Sequence, residues 1–323
     1  MPTVAPLDLS AHCIGAYWLN DIPHFALADG AVHRLDETGH QTVELHDGLL
    51  SAAKAGDTLL TGGEDGKVCA LKSDGSSEVL AQIGRKWISS VAAGPQGIVG
   101  FASGRIAYVR FADGRIKEIQ HPRTVEGIDF APKGVRLGVA RYNGATLHFP
   151  ATEGKPTELE WEGPHIGITF SPDGKYLVTS MQENALHGWR LQDTRHMQMA
   201  GYPAKVKSMS WSVKSRWLAT SGAPAAIVWP FHYKDGPMGK APLELGTRGT
   251  ILVTTVACHP KEEVVAIGYA DGMILAARFE DSKEVVLRRA GRSAITALAW
   301  DDAGRRLAFG SEDGACGIVD IAG

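Results

Sequence analysis

The feature that most constrains the fold of this 323-residue chain is an internal repeat of about 40 residues. Each copy has an apolar strand, a turn, a second apolar strand rich in small residues, an Asp-Gly-like turn and a third strand. The clearest copy is ITFSPDGKYLVTSMQENALHGWRL, residues 168–191. Four relatives begin at residues 128, 209, 256 and 298, and three weaker ones begin at 16, 52 and 91. The chain therefore holds eight copies.

The turn between the second and third strands recurs at a regular spacing. Successive turns are 36, 38, 40, 40, 40, 48 and 42 residues apart, and 39 residues remain when the two chain ends are joined. The anchor residues are Asp29, Asp65, Ser103, Asn143, Glu183, Ala223, Asp271 and Asp313. Periods near 40 built from short strands are typical of a β-propeller. We therefore expect an all-β protein, a single propeller of eight four-stranded blades spanning residues 1–323, with few helices.

The two ends of the chain complement each other in this scheme. The last copy stops at its third strand, at residues 319–321, and so lacks an outer strand. Residues 3–9 can supply it, which would close the ring and remove an exposed sheet edge. The first copy is the least regular of the eight. If it does not form a blade, the alternative is seven blades with an N-terminal extension.

The motifs resemble those of the WD40-repeat family, including bacterial single-domain proteins of this type, over nearly the whole chain. The segment SPDG at 171–174 matches the family's turn between first and second strands, and the aspartates among the anchors match its second turn. The pairs that begin at Trp189, Trp229 and Val319 stand where the family has its terminal Trp-Asp pair. No copy has a true Trp-Asp pair at that terminal position, and none opens with Gly-His.

The family's buried network of His, Asp, Ser or Thr, and Trp is only partly matched. His165 lies five residues before Phe170, which we interpret as too close to the strand for that network. The other partial matches are Thr61 with Asp65, Thr179 or Ser180 with Trp189, and Thr220 or Ser221 with Trp229. We therefore expect the blades to be stabilised mainly by apolar packing between sheets.

Charge and composition narrow the functional classes. The chain has 33 basic and 36 acidic residues, a formal charge of −3, and no basic block, which argues against a dedicated nucleic-acid or anionic-lipid binder. No apolar run approaches the roughly 20 residues of a membrane helix, and the N-terminus lacks the pattern of a secretion signal. We expect a cytosolic monomer with reduced cysteines at positions 13, 69, 258 and 316.

Catalytic and metal motifs are weak. The sequence offers no GxSxG or HExxH motif, and GGEDGK at 62–67 lacks the spacing of a phosphate loop. Of the twelve histidines, those at positions 12 and 259 lie beside a cysteine, without the paired spacing of a zinc site. The positions just before the first strands are mostly apolar: Cys13, Ile88, Val125, His165, Val206, Val253 and Ile295. We expect no catalytic residue, no metal and no cofactor.

The resemblance implies a partner surface at the channel mouth, formed by the second turns and by the loops between blades. The candidate residues there are Arg85, Lys86, Trp87, Arg123, Arg141, Tyr142, His165, Glu183, Tyr269 and Arg292. Aromatic and arginine side chains are frequent interface hot spots. The hypothesis is a non-enzymatic scaffold that binds a protein or peptide. A solvated rim, a propeller enzyme with a polar or metal site in the channel, and a role in metal homeostasis remain as alternatives.

One insertion interrupts the sixth copy. Residues 232–241 lie in the 48-residue gap and are rich in Gly, Pro and Lys, which predicts an exposed, mobile loop. The loop is either a docking element or a tolerated insertion.

Overall fold

The computed structural model describes residues 3–321 and is all-β, which confirms the predicted class. The described residues contain no α-helix, only a short 3₁₀ turn at Pro95–Gly97, and no helix among them could cross a membrane. The chain divides into two compact units. Among the described residues, unit 1 comprises 3–28, 32–42 and 201–321, and unit 2 comprises 29–31 and 43–200.

Unit 1 contains four sheets of four antiparallel strands, apart from residues 31 and 43–44 at two strand ends. One consists of β1 (Thr3–Asp8) with β28 (Ile295–Trp300), β29 (Arg306–Ser311) and β30 (Ala315–Asp320). The next is β2 (Cys13–Leu19), β3 (Ile22–Leu27), β4 (Ala31–Asp36) and β5 (Gly39–Glu44). The others are β20 (Met209–Trp211), β21 (Trp217–Thr220), β22 (Ala226–Pro230) and β23 (Leu243–Leu245), and β24 (Val253–Cys258), β25 (Val264–Tyr269), β26 (Ile274–Arg278) and β27 (Glu284–Arg288).

Tryptophans tie neighbouring sheets of unit 1 together. The indole N–H of Trp18 on β2 donates to the carbonyl of Ala299 on β28 at 2.9 Å. The indole N–H of Trp300 on β28 donates to the carbonyl of Ala257 on β24 at 3.0 Å. Each ring thus buries its apolar surface between two sheets while its single donor is satisfied.

The N-terminal strand lies where the sequence places it. β1 pairs antiparallel with β30, with Thr3 opposite Asp320 and Asp8 opposite Ala315. The amide of Leu9 then donates to the carbonyl of Gly314 at 3.0 Å. The first strand of the chain therefore supplies the fourth strand of the sheet that the last copy begins.

Unit 2 contains three sheets. The first is β6 (Leu49–Ala55), β7 (Thr58–Gly63), β8 (Lys67–Lys72) and β9 (Ser77–Gln82), and the second is β10 (Ser90–Ala93), β11 (Val99–Ser103), β12 (Ile106–Arg110) and β13 (Ile116–Gln120). The third has six strands: β14 (Gly127–Phe130), β15 (Leu137–His148), β16 (Thr157–Phe170), β17 (Tyr176–Met181), β18 (Leu186–Arg190) and β19 (Arg195–Met199).

The eight copies form seven sheets among the described residues, so the prediction of eight separate four-stranded blades is wrong. The six-stranded sheet holds two copies: β15 pairs with β14 near its start and with β16 near its end, and β16 goes on to pair with β17. The reason is that β15 continues through Asn143 and Gly144 with a register shift, where other copies break at a turn. The alternative of seven blades assumed that the first copy does not form a blade. That assumption is wrong, because the first copy forms a regular four-stranded sheet.

The Asp-Gly turns behave as their sequence predicts. At Asp29, Asp65, Asp271 and Asp313 the carboxylate accepts the backbone N–H two residues ahead at 3.1, 3.1, 3.1 and 3.4 Å. The glycine that follows each has a φ of +106°, +80°, +81° or +86°. At Gly66 a Cβ would also lie 2.5 Å from the carbonyl oxygen of Gly84, so this turn requires glycine twice over.

The insertion at residues 232–241 folds into turns between β22 and β23. The amide of Gly236 donates to the carbonyl of Tyr233, and the amide of Lys240 donates to that of Pro237, each at 3.0 Å. The Lys240 ammonium lies 4.7 Å from the centre of the Tyr233 ring. Tyr233 and Met238 remain exposed. The insertion thus has a local structure of its own.

Candidate functional site

The loop between β9 and β10 carries Trp87, the one tryptophan among the candidate residues. The amide of Ile83 donates to the carbonyl of Gly66 at 2.9 Å, and the amide of Ile88 donates to that of Gly63 at 3.0 Å. These bonds attach both ends of the loop to the turn between β7 and β8. Between them, Arg85 and Lys86 are exposed, and Trp87 exposes 62% of its surface. A tryptophan held out from an anchored loop is suited to contact a partner.

The loop between β13 and β14 repeats this arrangement one sheet further along unit 2. The amide of His121 donates to the carbonyl of Arg105, and the amide of Val125 donates to that of Gly104, both at 2.8 Å. Arg123 lies between these two anchors and is exposed. Its position is therefore fixed by the backbone, and its guanidinium is available to solvent.

Arg141 and Tyr142 lie on β15, where they have different roles. The Arg141 guanidinium donates to Thr146 Oγ1 and to the carbonyl of Tyr142, each at 2.9 Å, and forms an ion pair with Glu158. The side chain of Arg141 is only 13% exposed. Tyr142, in contrast, exposes 49% of its surface. Arg141 therefore holds the backbone that displays Tyr142.

A groove runs beside Tyr142 within unit 2. It has a volume of about 550 Å³ and is lined by residues 122–123, 141–143 and 160–162. A second depression shares Arg123 and Tyr142 with it and is completed by Thr124 and Glu126. We call the first of these the Tyr142 groove. Three of the predicted site residues, Arg123, Arg141 and Tyr142, thus lie together around one concave surface.

His165 and Glu183 lie in the six-stranded sheet, with opposite exposure. His165 is fully buried, so the expectation of a surface residue is wrong. Its Nδ1 lies 2.7 Å from Thr179 Oγ1 and its Nε2 lies 3.2 Å from the carbonyl of Trp161. Burial lowers the pKa of His165 to about 4. Glu183 is exposed, and a Cβ on Gly163 would lie 3.1 Å from its Oε1, which puts this carboxylate beside residue 162.

The two remaining candidates, Tyr269 and Arg292, belong to unit 1. Tyr269 is fully buried, so its predicted exposure is wrong, because its ring turns inward at the end of β25. Its hydroxyl donates to the carbonyl of Gly246, and the Arg248 guanidinium lies 5.0 Å from its ring centre. Arg292 is exposed in the loop between β27 and β28. Of these two, only Arg292 is available to a partner.

Sequence comparisons with known proteins indicate which protein family the chain resembles. The sequence profile of a family described as "Anaphase-promoting complex subunit 4 WD40 domain" matches residues 251–323. Over 200 residues the chain is 26% identical to telomerase protein component 1 of Rattus norvegicus and 24% identical to that of Mus musculus. These matches support a WD40-repeat propeller family for the chain. The matched region is 60% of this chain but 7% of either curated relative.

The fold of this chain is also found in a designed protein. The crystal structure of the computationally designed Ika8 protein superposes with a TM-score of 0.77 at 17% sequence identity. The likeness covers 97% of this chain and 98% of the designed one. It bears on the fold alone.

The WD40 network is more complete than the sequence suggested. His46 Nδ1 lies 3.0 Å from Asp65 Oδ1, and its Nε2 lies 2.9 Å from Thr61 Oγ1. His165 makes the matching contact with Thr179, so the expectation that it lies too close to its strand is wrong. The sequence search looked for Gly-His, and His46 follows a leucine. The signal that could have found it is its separation of 15 residues from Thr61, close to the 14 between His165 and Thr179.

A tyrosine takes the histidine's place in the sheet that begins with β20. The hydroxyl of Tyr202 lies 2.7 Å from Thr220 Oγ1 and accepts from the indole N–H of Trp229 at 2.6 Å. Thr220 donates onward to the carbonyl of Ile227 at 2.9 Å. Every polar atom in this chain of bonds has a partner, which is what a buried network requires.

The structure offers few groups for catalysis or metal binding. The seven positions before the first strands are all buried, and only His165 among them is a potential acid or base. No group of three or more potential metal ligands occurs among residues 3–321. The four cysteines are free, and a hydrogen bond with Cys316 together with burial raises the pKa of the Cys13 thiol well above its ordinary value. A thiol of that kind is a poor nucleophile.

Proposed function

We propose that this WD40-repeat chain is a non-enzymatic, cytosolic scaffold whose unit 2 binds a protein or peptide partner at the Tyr142 groove. The observation that carries the proposal is an exposed tyrosine, fixed from beneath by Arg141, at the rim of a concave surface. Exposed aromatic side chains on rigid backbone lose little conformational entropy on binding and provide large contact area. Trp87, on its own anchored loop of unit 2, is the second aromatic anchor in the proposal.

The proposal does not include a nucleic-acid partner. The chain has a formal charge of −3, and the groove is lined by both acidic and basic side chains, so it offers no uniformly basic surface to a phosphate backbone. The proposal does not include catalysis. Acyl or phosphoryl transfer needs a nucleophile paired with a base, and the exposed groove residues do not form such a pair.

Site-specific photo-crosslinking tests the proposal. A benzophenone amino acid is placed at Tyr142, and in a separate variant at Ile116, a similarly exposed position on the outer strand β13. In the native cell we expect a discrete protein adduct from position 142 that is absent from position 116. The same adducts from both positions would show that the groove is not the binding site.

Affinity capture with two double variants gives an independent readout. Trp87→Ala with Tyr142→Ala removes the two proposed anchors, and Val79→Ala with Ile116→Ala removes two exposed apolar side chains on outer strands of the same unit. We expect the cross-linked protein to be lost from the first variant and retained by the second. Retention by both would move the binding site away from this face.

A further inference from the structure

The charges of the Tyr142 groove are not equally available to a partner. Arg141 is committed to Thr146, to the carbonyl of Tyr142 and to Glu158, so its positive charge is already balanced. Among residues 3–321, neither Arg123 nor Glu160 nor Glu162 forms an ion pair or side-chain hydrogen bond, and all three are exposed. These are the charges that an occupant would meet.

The free charges are separated along the groove. Arg123 stands on the loop at residues 121–126, which also contributes to the second depression. Glu160 and Glu162 stand on β16, and Glu183 reaches the backbone at Gly163 beside them. Two of these carboxylates, Glu160 and Glu162, therefore line the groove from β16, and the single free guanidinium lines it from the loop at residues 121–126.

Aromatic surface accompanies these carboxylates. Trp161 lies between Glu160 and Glu162 in the chain, lines the same groove and is half-buried. Its indole stacks on His187 and also packs against His196, with ring centroids 4.0 and 4.9 Å apart. That stacking fixes the plane of the ring. Tyr142 is exposed on the neighbouring strand β15. A fixed aromatic flanked by carboxylates attracts the long, partly apolar side chains of arginine and lysine, whose stems lie on the ring while the cation meets the carboxylate.

We propose that the Tyr142 groove recognises a peptide segment by an arginine or lysine side chain, which lies against Trp161 and Tyr142 and is neutralised by Glu160 and Glu162. This inference rests on the proposed function and deepens it by naming the chemistry of the partner. The groove is open and continues past Tyr142 into the second depression, so it fits a stretch of chain better than a compact small molecule. Arg123 disfavours a cation at its own wall and so sets the position of the basic residue.

Selection from a library of random peptides displayed on phage tests the proposal without assuming a sequence. We expect the peptides enriched on the whole protein to carry more arginine and lysine than the starting library. Glu160→Gln with Glu162→Gln should weaken the best peptide by about tenfold, which corresponds to about 1.4 kcal/mol, since two exposed charge contacts are lost. The same peptide with citrulline in place of arginine should lose a similar factor against the unaltered protein.

The matched control is Glu78→Gln with Glu118→Gln, which removes two exposed carboxylates from the outer strands β9 and β13 of the same unit. We expect this control to change affinity by less than about twofold, because distant surface charges are screened. Equal loss in both double variants, or no enrichment of basic residues, would overturn the proposal. If the partner cross-linked at Tyr142 is retained by Glu160→Gln with Glu162→Gln, the scaffold stands and the charge inference fails.

Discussion

Units 1 and 2 share one strand pattern but bury different polar side chains within it. In unit 2 the network positions hold His46 and His165, and three further histidines, His121, His148 and His187, are buried or half-buried. In unit 1 the buried polar contacts include two tyrosine hydroxyls: Tyr202 is bonded to Thr220 and Trp229, and Tyr269 is bonded to Gly246. Burial also lowers the pKa of one histidine of unit 1, His24. The same fold is thus stabilised by groups that titrate at very different pH.

Burial separates the two units by their response to acid. It lowers the pKa of His165 and His148 to about 4 and that of His187 to about 3, and it also lowers that of His46 and His121. Burial has the opposite effect on a phenol and raises the pKa of Tyr202 to about 12. A tyrosine network is therefore neutral throughout the range in which the histidines take up protons.

The largest expected effect is that unit 2 loses stability in acid before unit 1. Above pH 6.5 these histidines are neutral in both states; below it the unfolded chain takes up protons, whereas folded His165 resists them until about pH 4. Each such histidine lowers the free energy of unfolding by up to about 1.4 kcal/mol per pH unit in that window. Hydrogen exchange by mass spectrometry, corrected for intrinsic rates, should show protection lost first in residues 43–200. Simultaneous loss in residues 201–321 would contradict this.

The features of the fold that could be predicted from the sequence are those determined by residues close together in the chain. The Asp-Gly turns were predictable because a capping carboxylate and a glycine with positive φ are neighbours in the chain. The six-stranded sheet was not predictable. The sequence at Asn143 resembles the turns of the other copies, and only the register of β15 against β16 shows that the strand continues through this residue.

The candidate site likewise contains residues whose exposure could be predicted from neighbouring sequence and residues whose burial could not. The exposure of Trp87 and Tyr142 follows from their position in polar loops and turns. The burial of Tyr269 does not, because a residue at the end of a strand can turn to either side, and its acceptor at Gly246 is 23 residues away. Tyr202 was missed for a related reason: a network sought by its histidine does not reveal a tyrosine that performs the same task.

A smaller effect is expected when the hydroxyl network of unit 1 is cut. Tyr202→Phe removes the acceptor of the Trp229 indole N–H, which is left unpaired, and removes the donor to Thr220, which keeps only its bond to the carbonyl of Ile227. The free energy of unfolding should fall by about 1–3 kcal/mol. Because no group near neutrality is involved, the loss should be the same at about pH 5 and about pH 8. Urea denaturation at both values measures it. Tyr233→Phe, at an exposed tyrosine of the same unit, is the control and should cost little.

The smallest effect tests whether a single histidine can be taken out of the acid response of unit 2. Both ring nitrogens of His187 are buried without a hydrogen-bond partner among residues 3–321, and burial, then His165 and His196, lower its pKa to about 3. His187→Phe keeps a ring for Trp161 to stack on and removes a buried donor, so stability at neutral pH should rise by about 1 kcal/mol. Below pH 6.5 the gain over the unaltered protein should widen, since the replaced histidine no longer takes up a proton on unfolding.

The matched control is His196→Phe, at an exposed ring of the same stack. Because this ring is not buried, its replacement should leave the slope of stability against pH unchanged. Urea denaturation of the two variants between about pH 7.5 and about pH 5 compares them directly. If His187→Phe retains the full acid sensitivity of the unaltered chain, burial of this histidine is not a source of the difference between the two units. The remaining buried histidines of unit 2, His46 first because its network most resembles that of Tyr202, would then have to account for it.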